Sequence, residues 1–166
     1  CMPGERRSAQ QISSSAATDG YKSQEQDKAT IDAPIGRARV ANFRFTVTPA
    51  GRPAITHWEV LRRYGKATLV SVNLVTGRTH QIRVHFSSIG HPLAGDPMYG
   101  GNPVLAKELG LDRQWLHSMK LEFRHPRTRI WTAVTSTYPA DLAHALEVLD
   151  DESAGALAGE GAADRH

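Results

Sequence analysis

Ten consecutive residues, Thr76-Gly77-Arg78-Thr79-His80-Gln81-Ile82-Arg83-Val84-His85, bring two arginines, two histidines and a glutamine together at the start of an amphipathic repeat. A strand ends, a glycine lets the backbone turn, and a helix begins. Amides exposed at such a helix start, with Arg78 and Arg83 beside them, make a corner suited to an anion. Arginine fits this task because its planar fork grips phosphate or carboxylate oxygens in pairs. The plainer reading is two surface arginines next to a well-begun helix. A metal site is not expected, since His80 and His85 are five apart and fall on different helical faces. No Cys, Asp or Glu lies in the run to complete one. A serine hydrolase is not supported either, because the chain contains no Gly-x-Ser-x-Gly elbow.

The elements that must position this run are legible in the apolar spacing. Phe43, Phe45 and Val47 alternate with polar residues, and Pro49-Ala50-Gly51 breaks the chain after them. Residues 54–61 read as a strand with Ala54, Thr56, Trp58 and Val60 on one face. A turn at Tyr64-Gly65-Lys66 leads into 68–75, where Val70, Val72 and Leu74 alternate. From Thr79 the period is helical: Ile82, Phe86 and Ile89 share a buried face, and Arg78, Gln81, His85 and Ser88 form a polar one. Gly90 and Pro92 end the helix. Two further strands are expected at 120–124 and 130–137, around His125-Pro126-Arg127. Pro139 opens a last helix with Leu142, Leu146 and Leu149 as its stripe. This is an α+β pattern, a mostly antiparallel sheet with flanking helices.

Charge is unevenly placed. Residues 29–149 hold 15 Lys+Arg against 8 Asp+Glu, whereas residues 150–166 hold 1 against 5, so a basic middle is trimmed by an acidic end. A basic surface of this kind suits a polyanionic partner, although a solvated Arg-rich surface would look the same. Residues 1–28 are rich in Ser, Gln and charge with almost no large apolar side chain, and are expected to be disordered; so is the acidic tail 150–166. That leaves one domain at 29–149. One cysteine, Cys1, allows no internal disulfide. Apolar runs are too short to span a bilayer and residues 1–20 lack a signal-peptide core, so a cytoplasmic protein is expected.

The central run, followed by Gly90-His91-Pro92-Leu93-Ala94-Gly95-Asp96-Pro97-Met98-Tyr99-Gly100, resembles the signature of the RluA-like RNA pseudouridine synthases. Ile31-Asp32-Ala33-Pro34-Ile35-Gly36-Arg37, Gly51-Arg52-Pro53-Ala54-Ile55-Thr56-His57-Trp58, Arg113-Gln114-Trp115-Leu116-His117-Ser118, His125-Pro126 and Pro139-Ala140-Asp141-Leu142 resemble further family stretches in the same order. The likeness runs over about 29–149. It implies conversion of uridine to pseudouridine in structured RNA, most often ribosomal, with no cofactor and no metal. In that family an aspartate attacks the nucleotide, the glycosidic bond breaks, the base turns, and C5 rejoins the sugar. By position, Arg78 resembles the arginine that pairs with this aspartate and keeps it ionised. Arg83, His80, Gln81, His85 and Arg52 are implied as residues of the same wall that meet RNA. The family's His-Arg-Leu-Asp-x-x-Thr-Ser-Gly stretch, which carries the nucleophile, has no counterpart in these residues, nor has its Tyr-x-Ala motif. Asp96, between Gly95 and Pro97, reads as a turn residue. The expectation is therefore the C-terminal part of a pseudouridine synthase catalytic domain, inactive by itself. The alternative is a non-catalytic RNA-binding fragment.

Overall fold

Period-two apolar spacing and period-3.6 spacing alternate along the chain, and the computed structural model, which describes residues 6–14, 26–39 and 44–160, follows them. In chain order the elements are β1 (Arg6–Ser14), β2 (Lys28–Asp32), β3 (Ile35–Arg37), β4 (Phe45–Val47), β5 (Ile55–Arg63), β6 (Ala67–Leu74), α1 (Gln81–Ser88), α2 (Pro103–Glu108), β7 (Leu116–Arg124), β8 (Trp131–Thr135) and α3 (Ala140–Glu160). Six strands form one sheet in the order β2-β5-β6-β1-β7-β8, and β3 and β4 form a separate ribbon. Every pairing among them is antiparallel.

The alternation in β5 and β6 does what the sequence predicts. Thr56, Val70 and Val72 are buried while His57, Glu59 and Asn73 are exposed. Ile82 and Phe86 of α1 pack on Val70, Val72, Ile31 and Leu93, with the Trp58 ring edge-on to Phe86. On the other side of the core Trp115, fully buried, donates its indole N–H to the carbonyl of Leu142 at 2.9 Å. Leu142 and Leu149 of α3 close that cluster with Leu105 and Leu109, and Leu146 packs at its border.

Several expectations need correction. Residues 6–14, which fall in the segment 1–28 whose composition predicts disorder, form β1, which lies between β6 and β7 in the middle of the sheet. Backbone ladders on both sides hold such a strand whatever its composition, so a polar sequence does not betray it. Helix α3 runs on to Glu160, through residues read as an acidic tail. Ile89 does not share the buried face of Ile82 and Phe86; it is the residue that caps α1 at its C-terminus and is 41% exposed. Phe43 and the outer parts of the two terminal segments (1–5, 15–25 and 161–166) lie outside the described residues. No helix among the described residues is long and apolar enough to cross a membrane.

Candidate active site at the head of helix α1

The polar stripe on α1 is buried at its centre and exposed at Ser88. Gln81 and His85 are buried, and a chain of hydrogen bonds consumes both. His85 Nε2 lies 2.9 Å from the carbonyl of Ala33, which can only accept, so Nε2 carries the proton. Nδ1 of the neutral ring must then accept, and the Thr56 hydroxyl donates to it at 2.8 Å. Thr56 Oγ1 in turn accepts from Gln81 Nε2 at 2.9 Å, which also donates to the carbonyl of Ile55. Gln81 Oε1 accepts from the Thr76 hydroxyl at 2.7 Å and from the Arg78 amide at 3.0 Å. Burial pushes the His85 pKa down, the bond to Ala33 opposing it, in keeping with the neutral tautomer.

One buried glutamine thus ties the loop 76–78 to the first residues of β5. The same loop is fixed by the side chain of Arg78, whose Nε donates to the carbonyl of Pro53 at 2.9 Å. No described carboxylate pairs with Arg78. Arg52 stands exposed one residue before Pro53, on the same rim. Two amides of the expected cradle are spent internally: the Arg78 amide goes to Gln81 Oε1, and the Gln81 amide to the carbonyl of Arg78. The Arg78 guanidinium is the charge the corner offers an anion.

Arg83 has a different fate from Arg78. Its Nε and Nη2 make a two-pronged bond to Asp96, at 2.7 and 2.8 Å, and its side chain is 12% exposed against 0% for Asp96. Hydrogen bonding to Asp96 raises the Arg83 pKa, and the guanidinium lies 4.8 Å from the Tyr99 ring centre. Asp96 also accepts from the amides of Met98 and Tyr99, so it shapes the turn as the sequence suggested while neutralising Arg83. Gly95, at φ +73°, admits this turn: a Cβ there would sit 2.2 Å from the Arg113 carbonyl oxygen. His80 precedes α1 in the left-handed region, φ 54° and ψ 24°, where a non-glycine residue is strained. Its Nδ1 meets the Tyr99 hydroxyl at 2.8 Å, and its ring stands edge-on to Phe45 and Tyr99. Burial, then the charge of Arg83, lowers its pKa.

Of the residues read from the sequence, Arg78 and Arg52 stand at the rim, His80 is half-buried behind them, and Gln81, His85 and Arg83 support from within. Gln81 and His85 do not reach solvent, so a direct RNA contact by them does not fit this geometry. Thr56, Thr76, Tyr99 and Asp96 complete the support. Only Asp96 was singled out beforehand, for its turn; the others are ordinary residue types whose role depends on distant partners. Among the described residues no group of three His, Cys, Asp or Glu side chains is arranged to hold a metal.

A family model described as RNA pseudouridylate synthase matches residues 13–88. An uncharacterized RNA pseudouridine synthase of Mycobacterium bovis is 53% identical over 123 residues, covering 74% of this chain and 40% of its own length. The ribosomal large subunit pseudouridine synthase D of Nitrosomonas europaea is 46% identical over 123 residues, covering 72% and 36%. Among solved structures, human RNA pseudouridylate synthase domain containing 1 superposes with a TM-score of 0.64 at 25% identity, covering 81% of this chain and 55% of that one. The chain spans about two fifths of the length of the curated relatives it matches. Family model, relatives and solved fold agree: the chain belongs to the RNA pseudouridine synthase family.

Proposed function

We propose that this protein isomerises uridine to pseudouridine in RNA, with Arg78 facing the catalytic aspartate and the departing base. Arg78 itself carries the reading. Its backbone is anchored by Gln81 and its Nε by Pro53, while no described carboxylate occupies its terminal nitrogens. A guanidinium held this way is ready for an anionic partner and stabilises charge without moving at the moment of reaction. A partner carboxylate facing it stays ionised at neutral pH, as a nucleophile must.

Asp96 is bound by Arg83 and cannot serve as that nucleophile. None of the chain's aspartates stands in the family's His-Arg-Leu-Asp context. The carboxylate therefore comes, in our reading, from a companion segment that docks beside Arg78. Ribosomal RNA in the cytoplasm is the substrate we favour, because relatives such as that of Nitrosomonas europaea are named for the large ribosomal subunit. The target uridine must leave its stack to reach the site.

The test is a pseudouridine assay on unmodified ribosomal RNA with the chain alone, with the chain plus the aspartate-bearing segment of a relative, and with Arg78→Ala in both. We expect product only in the complemented sample, and a loss of about 100-fold or more in the variant. Product from the chain alone, or an unaffected variant, overturns the assignment.

A further inference from the structure

The turn joining β7 to β8 carries charge and an aromatic ring that neither the fold nor the Arg78 site uses. Arg124, Arg127 and Arg129 are exposed, as is Trp131 at 54%. No described carboxylate pairs with the three arginines; Glu122, the nearest acid in sequence, is bound to Lys120 at 2.6 Å. The tip is built to be stiff. His125 Nδ1 accepts from the amides of Arg127 and Thr128, the His125 carbonyl accepts from the Arg129 amide at 2.9 Å, and Arg124 Nε donates to the Arg129 carbonyl. Arg129 sits at φ 61°, a conformation that glycine adopts without strain.

Register puts this turn at the same end of the sheet as Arg78. Leu74 of β6 and Leu121 of β7 both pair with Arg7 of β1, and Leu121 pairs with Val134 of β8. Three residues beyond Leu121 lies Arg124, opposite Trp131; four beyond Leu74 lies Arg78. Two strand spacings, about 10 Å, separate β6 from β7 across the sheet, and a third, to about 14 Å, reaches Trp131 on β8.

We propose that the β7–β8 turn is a second RNA contact, taking a single-stranded segment beside the target uridine. Trp131 stacks a base, and Arg127 and Arg129 meet the phosphates on either side. Exposed aromatic plus unpaired arginines is the chemistry that single-stranded nucleic acid rewards, and a stiff turn loses little freedom on binding. This rests on RNA being the substrate, not on where the catalytic aspartate resides.

The experiment titrates the whole chain into a short, fluorescently end-labelled single-stranded oligouridylate at several salt concentrations, reading affinity from the anisotropy of the label and the quench from tryptophan fluorescence. Trp131→Phe keeps affinity and removes the RNA-dependent quench; Trp131→Ala weakens binding about fivefold or more. Arg127→Ala with Arg129→Ala lowers the salt slope by about 1.4. Arg129→Gly relieves backbone strain, so it weakens binding in a protein at least as stable as the parent, which loss of folding could not produce. Parental affinity in Trp131→Ala and Arg129→Gly overturns the proposal. So does a dimer that Trp131→Ala disperses, since the patch then belongs to a second copy. An unaffected assay for Arg78→Ala with binding intact at the turn faults the isomerase reading alone.

Discussion

Two parts of the molecule use the same residue types in opposite ways. At the head of α1, Arg83 and His85 lie inside a closed set of partners, Asp96 for one and Thr56 with Ala33 for the other. In the β7–β8 turn Arg124, Arg127 and Arg129 are exposed and His125 is half-buried, and the side chains of Arg124 and His125 meet backbone groups. An arginine is therefore a strut or a contact according to whether a carboxylate is within reach, and the stretch 123–139 contains no acid at all. The first arrangement makes Arg78 rigid; the second leaves charge available.

Breaking the closed set should have the largest effect on stability. Asp96→Ala strands the Arg83 charge in a mostly buried position and should cost about 3–5 kcal/mol in urea unfolding. A loss near zero would make the pair a surface ornament and dissolve the contrast. Gln81→Leu comes next. It leaves the Thr76 hydroxyl and Arg78 amide without their acceptor, at about 1–3 kcal/mol, and should lower turnover of the complemented enzyme more than RNA affinity. An unchanged ratio of turnover to affinity would mean Gln81 does not steady Arg78.

Acid sharpens the same comparison. His85 has a folded pKa below its unfolded value near 6.5, so the unfolded chain binds the extra proton. Stability then rises with pH: the contribution is complete above about pH 6.5 and declines as pH falls toward the lowered folded value. The slope is at most about 1.4 kcal/mol per pH unit. His80 is lowered as well and acts with the same sign. Unfolding midpoints measured between neutral and mildly acidic pH should fall, and His85→Gln should flatten the curve. A profile equal to the parent's would remove His85 from the account. The smallest effect belongs to the turn: Arg129→Gly should gain about 0.5–1 kcal/mol by relieving its left-handed conformation. A destabilised variant would show that the Arg129 side chain holds the hairpin together.

Much of the frame was visible in the residues. Alternation located β5 and β6, and the helical period located α1 and the opening of α3, because each has one face against the core. Helix α2 passed unread although its signal was present: Asn102 accepts from the Val104 and Leu105 amides, and Pro103 follows it. Strand β1 gave no such signal. Its nine residues are mostly polar, and their place depends on ladders with β6 and β7, strands far along the chain. The stripe of Gln81 and His85 is legible but its burial is not, since periodicity places polar residues on one face without saying whether water or another strand covers it.

From sequence alone came the α+β class, the family resemblance and the proposal that Arg78 meets the catalytic aspartate, because short-range spacing and local motif order carry those. Tertiary structure alone separated Arg78 from Arg83, buried His85 as a neutral ring, seated β1 between β6 and β7 and aligned the β7–β8 turn with the end of the sheet that carries Arg78. Each of those depends on a partner elsewhere in the chain, Asp96 for Arg83, Thr56 for His85, Leu74 and Leu121 for Arg7, and the free energy of a charge or a polar group is set by the partner it meets.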